Sequence, residues 1–279
     1  MDLCLITPIQ QLECTRLLPG RFCIAPIAAR NETYRRFFTA EAVKGYSVIL
    51  DNGVFENDIL TDAEYIELAQ KIGAKIVIVP DQIGSEAGGN LKRGYAFIGH
   101  ATPKLAVQTE YMFVPQCSRN HDDDFKTVLT TAISLPEFKW IGICRDAIYN
   151  AFGQYTHTED QELNRFFFSV WFEKSGLLGT ALANGKKFHF LGMGGNLRLS
   201  EHYWYVSSMD TASLFFLSSL GITATEDGYL HDKIKRPADY FIRDFSYLDW
   251  DILKHNCLEA QRWASKAQIK RNQIEGWRL

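Results

Sequence analysis

The sequence predicts an α/β fold: an eight-stranded (β/α)8 TIM barrel with a helical, locally basic C-terminal extension. Three observations carry that expectation. Short apolar runs alternate with helical patterns along the chain, which is how successive β-α units read. The runs are almost continuously apolar rather than alternating, as strands buried on both faces of a parallel sheet are. The 279 residues suit such a barrel. The runner-up, an open doubly wound sheet, lacks its Gly-rich phosphate fingerprint after the first predicted strand, where Ala28-Ala29-Arg30-Asn31 stands instead.

The first predicted strand is Phe22-Cys23-Ile24-Ala25-Pro26-Ile27-Ala28, followed by a helix over 32–44 that Gly45 closes. The second strand covers 47–50. The next helix opens on Thr61-Asp62-Ala63-Glu64, a capping-box pattern, and stops at Gly73 before a third strand at 76–79. Further strands are expected at 111–114, 140–144, 188–191, 205–209 and 221–224, which brings the count to eight. Helices are expected near 85–99, 123–134 and 159–174. The segment from about 232 to 279 is expected to be helical. It carries ten Lys/Arg against seven Asp/Glu, and a solvated terminal helix is the plainest account of that charge. The chain is read as one barrel domain, 1–279, that includes this extension.

Composition narrows the classes. At 46% hydrophobic and 23% charged residues the chain reads as a globular protein with a large core. A net charge of −3 does not mark a nucleic-acid binder, and leaves room for a local basic face. The six cysteines (Cys4, Cys14, Cys23, Cys117, Cys144, Cys257) form no C-x-x-C pair and several sit in apolar strands. With no secretory leader in view, they are expected to be free buried thiols in a reducing cytoplasm. Charges interrupt every apolar run before the roughly 18 residues that a membrane span needs, so a soluble protein is expected.

Chemistry enters through four predicted strands that end on a carboxylate: Asp51, Asp81, Asp146 and Asp210. Taken alone, Asp210 before Thr-Ala-Ser-Leu-Phe-Phe-Leu is a good helix cap, and Asp51-Asn52-Gly53 is a good tight turn. Repetition favours a site, because in a barrel the C-terminal strand ends face the active site. The polar residues expected there are Asp51, Asn52, Asp81, Gln82, Gln116, Arg145, Asp146 and Asp210. Cys117 and Cys144 have no neighbouring His to support a thiolate nucleophile, and His121, His157, His189 and His202 lack ligand spacing. No cofactor and no metal are expected.

Six stretches, in order, resemble one family. Asp51-Asn52-Gly53-Val54-Phe55 resembles the Asp-Ser-Gly-Gly-Phe of tRNA-guanine transglycosylases. Val79-Pro80-Asp81 and Val114-Pro115-Gln116 are similar to their Asp and Gln strand ends, and Trp140-Ile141-Gly142-Ile143 to their Gly-rich strand. Phe190-Leu191-Gly192-Met193-Gly194 resembles their Leu-Met-Gly-Val-Gly, and Ser208-Met209-Asp210 the Met-Phe-Asp that carries the nucleophile. The resemblance spans about 47–211. It departs after the nucleophile: the zinc cluster of three Cys and a His is missing, with only Cys257, His231 and His255 as candidates for a reduced metal site, and Thr211-Ala212-Ser213-Leu214 replaces an Arg-rich loop. Those features help grip a tRNA loop, so the resemblance points to the DpdA branch, the phage-type DNA-guanine transglycosylases that place 7-deazaguanines in DNA.

That resemblance implies a base exchange at C1′ through an oxocarbenium-like transition state. Asp210 would be the nucleophile and Asp51 the proton-handling group. Asp81, Gln116 and the Gly142 backbone would hold the guanine-like face, with Met193 against the ring. The implied partners are DNA and a 7-deazaguanine base such as 7-cyano-7-deazaguanine, in the cytoplasm. Arg119, Arg145, Arg198, Lys270 and Arg271 are candidate phosphate contacts. Three other readings stay open: a transglycosylase acting on RNA, a barrel enzyme for a small metabolite, and a non-catalytic barrel that binds DNA or a protein.

Overall fold

The computed structural model describes residues 1–56, 58–156, 160–230 and 234–276. Its strands are β1 (Asp2–Leu5), β2 (Arg21–Ile24), β3 (Val48–Asp51), β4 (Ile76–Ile78), β5 (Glu110–Phe113), β6 (Phe138–Cys144), β7 (Lys187–Leu191) and β8 (Ser208–Thr211). All eight are parallel, lie in the order β1-β8-β7-β6-β5-β4-β3-β2 and have helices between them, forming a nearly closed (β/α)8 barrel. The strands are short and almost wholly buried, which accounts for the unbroken apolar runs in the sequence. Among the described residues no helix is long and apolar enough to cross a membrane.

The chain divides into two compact units, Arg21–His189 and Met1–Gly20 with Phe190–Leu279. In the first, β2 gives way to α1 (Ala25–Arg30) and α2 (Glu32–Val43). The expected first strand, 22–28, therefore ends at Ile24: Pro26, in the first turn of α1, has no N–H to give a ladder and a φ suited to a helix start. α3 (Asp62–Ile72) follows its sequence signals closely. The Thr61 side chain accepts from the Glu64 N–H, the Glu64 carboxylate accepts from the Thr61 N–H at 2.9 Å, and Gly73 ends the helix at φ 72°. α4 (Ala87–Ala101), α5 (Asp122–Ser134) and α7 (Gln161–Lys174) fall where helices were expected. α6 (Arg145–Thr156) and α8 (Leu177–Ala183) are additional, because their patterns run directly on from a strand or a neighbouring helix. Phe125, Phe152, Phe168, Trp171 and Phe172 form an aromatic cluster on α5, α6 and α7, with Phe188 of β7 edge-on to Phe172.

In the other unit β1 pairs with β8, Cys4 opposite Asp210, and Cys4 also bridges to Gly20. The expected eighth strand at 221–224 does not form; β1, for which the sequence raised no expectation, takes the place. The Ile222 carbonyl and the Ala224 N–H are bound by the side chain of Asn256, at 2.8 and 2.7 Å, so those groups serve a helix contact rather than a ladder. α9 (Ser213–Ser219) leads through turns to α10 (Trp250–Gly276). The helical extension expected from about 232 thus begins only at Trp250. Leu253, Asn256, Cys257, Ala260, Trp263, Ala264 and Ala267 give α10 a buried stripe at helical spacing.

Candidate functional site

The expected site residues fall in both units, and each group has its own construction. In Arg21–His189, Asp51 is the last residue of β3 and opposite Ile24 of β2. Its carboxylate accepts from the Gly53 N–H at 3.0 Å. Gly53, at φ 76°, is required twice over: its conformation disfavours a side chain, and a Cβ there would lie 2.2 Å from Pro26 Cγ. The turn foreseen at Asp51-Asn52-Gly53 is thus real, and it packs the strand end on α1.

Asp81 lies three residues beyond β4 and is held by two carboxamides. Asn52 Nδ2 donates to one carboxylate oxygen at 2.5 Å and Gln116 Nε2 to the other at 2.6 Å. Asn52 Nδ2 also reaches the Val79 carbonyl at 3.3 Å, and the Tyr65 hydroxyl lies 2.8 and 2.9 Å from the Leu50 and Ile78 carbonyls, tying the ends of β3 and β4 together. Burial pushes the Asp81 carboxyl above its ordinary range, while the two amide bonds and the Arg93 charge pull it back. Gln116 is 1% exposed, and its carbonyl oxygen has no hydrogen-bond partner among the described residues. A buried carbonyl in that state is an open acceptor beside a carboxylate with spare lone pairs, so the pair is equipped to take adjacent N–H donors.

A narrow cleft lined by Asn52, Val54, Ile59, Leu60, Asp81 and Arg93 reaches the carboxylate and encloses about 10 Å³, room for one water. Gly142 is inside β6, buried. Arg145 opens α6 and stands 3.6 Å from Glu162, which also lies 3.7 Å from the fully buried Arg165. Asp146 accepts from Gln161 Nε2 at 2.5 Å. Arg119 is exposed on the loop after β5.

In the other unit Asp210 lies within β8 rather than one residue past the expected strand 205–209. It is buried, and its carboxylate accepts from the Gly192 N–H at 2.9 Å. Its carbonyl accepts from the Met193 N–H at 2.6 Å, and Thr211 Oγ1 bonds the Met193 carbonyl at 3.2 Å. The Gly192-Met193 loop and the expected nucleophile are therefore one hydrogen-bonded piece, with the Met193 side chain buried. The Thr211 hydroxyl accepts from the Ser213 N–H at 3.1 Å at the start of α9. Arg198 is exposed, 3.9 Å from Glu201. Lys270 is exposed on α10. Arg271 lies one turn beyond Gln268, whose side-chain oxygen accepts from the Met1 amino group at 3.4 Å at the N-terminal edge of β1, whereas Asp210 pairs with Cys4 toward its other end.

All six cysteines are free and buried. Burial raises Cys117, Cys144 and Cys257 to about 12, so none is a thiolate at neutral pH. Cys257 lies in the buried stripe of α10 and His255 Nε2 contacts the Ala224 carbonyl at 3.2 Å, which sets both to structural use. His231 and His157 lie outside the described residues. His189 is fully buried and stacks on Phe22 at 5.4 Å, and no cluster of three or more candidate metal ligands occurs among the described residues. Sequence reasoning missed the grip of Asn52 on Asp81. Adjacency to Asp51 was the available signal, whereas Arg93, on α4, had none. No protein-family model and no curated protein sequence matches this chain.

Proposed function

We propose that this protein is a base-exchange transglycosylase that replaces guanine in DNA by a 7-deazaguanine through a covalent Asp210–deoxyribose intermediate. The observation that carries the reading is the buried Asp81, clamped by Asn52 and Gln116, with the Gln116 carbonyl left open as an acceptor. Guanine and 7-deazaguanine present the same ring N–H and exocyclic amine on one edge, so a carboxylate and an adjacent carbonyl suit both bases in turn. The (β/α)8 fold adds support, since barrel enzymes work at the C-terminal strand ends, where Asp51 closes β3 and Asp210 sits in β8.

In this reading an Asp210 carboxylate oxygen bonds to C1′ as the C1′–N9 bond breaks, and Asp51 delivers the proton that the departing guanine takes up. The incoming base then gives its N9 proton to Asp51, forms a bond to C1′ and releases Asp210. The Gly192 N–H steadies the Asp210 oxygen that does not attack. The Gly142 backbone and the Met193 side chain are the remaining groups that the resemblance assigns to the base. The target nucleotide must leave its stack, at a cost of about a few kcal/mol. Phosphate contacts fall to Arg119, Arg145 and Arg198, which follow the C-terminal ends of β5, β6 and β7, ahead of Lys270 and Arg271 on α10.

The test offers isotope-labelled guanine with DNA and with unmodified tRNA side by side. Label should enter DNA alone, and Asp210→Asn should abolish both incorporation and a trapped protein–DNA adduct while the circular dichroism spectrum is unchanged. Label entering only tRNA would replace DNA by RNA as the acceptor, and a fully active Asp210→Asn would end the proposal.

A further inference from the structure

Arg119 is held in a way that an idle surface arginine is not. Its guanidinium carbon lies 5.4 Å from the centre of the Tyr149 ring, and its Nη2 donates to the Tyr149 hydroxyl at 3.1 Å. The ring itself has a fixed seat. A Cβ at Gly153, one turn further along α6, would lie 2.9 Å from two ring carbons, so glycine at that position leaves the space the ring occupies.

The loop that carries Arg119 is braced just as closely. Asn120 is at φ 64°, a conformation that Asn tolerates better than most side chains, and its N–H donates to the Asn150 carbonyl at 2.8 Å. The Asn150 side chain donates to the Cys117 carbonyl at 3.2 Å, and Ser118 Oγ to the Gly84 carbonyl at 3.4 Å. Three acidic residues follow on α5, each beside a basic side chain: Asp122 and Asp123 share Lys126 at 2.5 and 3.5 Å, and Asp124 lies 3.2 Å from His121. Arg119 has no carboxylate within ion-pair distance among the described residues, and after the bond to Tyr149 it keeps four of its five N–H donors. Gln116 is three residues upstream, at most about 11 Å of extended chain away.

We infer that Tyr149 is a positioning residue that presents Arg119 as a two-pronged clamp for a backbone phosphate beside the base held at Asp81 and Gln116. The inference rests on the nucleic-acid acceptor proposed above. The planar fork matches two phosphate oxygens at once, and the stack immobilises the side chain before the strand arrives, which lowers the entropy lost on binding.

The test is the binding of a fluorescein-labelled single-stranded DNA oligonucleotide by anisotropy, at salt from about 50 to 300 mM. Arg119→Ala should weaken binding about tenfold and lower the slope of log K against log salt by about 0.7, the loss of one contact to a single strand. Tyr149→Ala keeps the charge, so its affinity should fall about three- to tenfold while the slope stays near that of the unaltered protein. Tyr149→Phe, which keeps the ring, should recover most of that loss. Unchanged affinity and slope in Arg119→Ala would overturn the clamp, and unchanged affinity in Tyr149→Ala would overturn the positioning role. Failure of the unaltered protein to bind the oligonucleotide at low salt would instead remove the acceptor itself, and the clamp with it.

Discussion

At Asp81 two opposing effects meet: burial disfavours the charged carboxylate, while hydrogen bonds from Asn52 and Gln116 favour it, and burial is the larger. The folded-state value therefore lies above the unfolded one. Stability from this group is fully present below about pH 4, the ordinary carboxyl value, and is lost as the pH rises through the folded value. Asp81→Asn carries no titrating proton, so the urea midpoint of the unaltered protein relative to the variant should fall across that window; a difference independent of pH would contradict the assignment. Asp51 makes a separate prediction. As the proton-handling group it should be needed for turnover, with Asp51→Asn lowering steady-state exchange by about 10²- to 10⁴-fold. Some adduct through Asp210 should still form, and exchange at the unaltered rate would show that Asp51 handles no proton.

Elements hold these residues where they are. The cluster of Phe125, Phe152, Phe168 and Phe172 is what packs α7 against α5 and α6, and Phe168 is fully buried within it. Phe168→Ala should lower unfolding stability by about 3–5 kcal/mol, measured by urea denaturation, because the packed neighbours cannot close the space. A loss below about 1 kcal/mol would mean that the helices repack freely. Legibility at this scale followed how local the signal was. α3 was readable to the residue because Thr61, Glu64 and Gly73 act within a turn of their own helix. The strand–helix boundary at Ile24 was not, since Cys23-Ile24-Ala25-Pro26-Ile27 is equally apolar on both sides. Likewise 221–224 has strand-like composition, but a side chain 32 positions away, Asn256, takes its backbone groups.

For the molecule as a whole, the net charge of −3 gives no general attraction to nucleic acid, so binding must depend on a few placed cations. Lys270 and Arg271 follow Gln268 on α10, and the Gln268 side-chain oxygen accepts from the Met1 amino group at the N-terminal edge of β1, away from the end where Asp210 pairs with Cys4. Neutralising both should therefore leave the salt dependence of DNA exchange nearly unchanged. A slope reduced by about 1.4, two contacts to a single strand, would put the strand across α10 instead.

The sequence by itself determined the barrel class, the C-terminal strand ends as the place of the polar residues, and the buried state of the thiols. Each follows from local composition: apolar runs of strand length, carboxylates directly after them, and cysteines within them. Only the tertiary structure decided which strand is the eighth, that Asn52 and Gln116 share one carboxylate, that Gly192 binds Asp210, and that Tyr149 carries Arg119. These depend on residues far apart in the chain meeting at hydrogen-bond distance, and such meetings are set by strand order and helix packing, on which no local pattern reports.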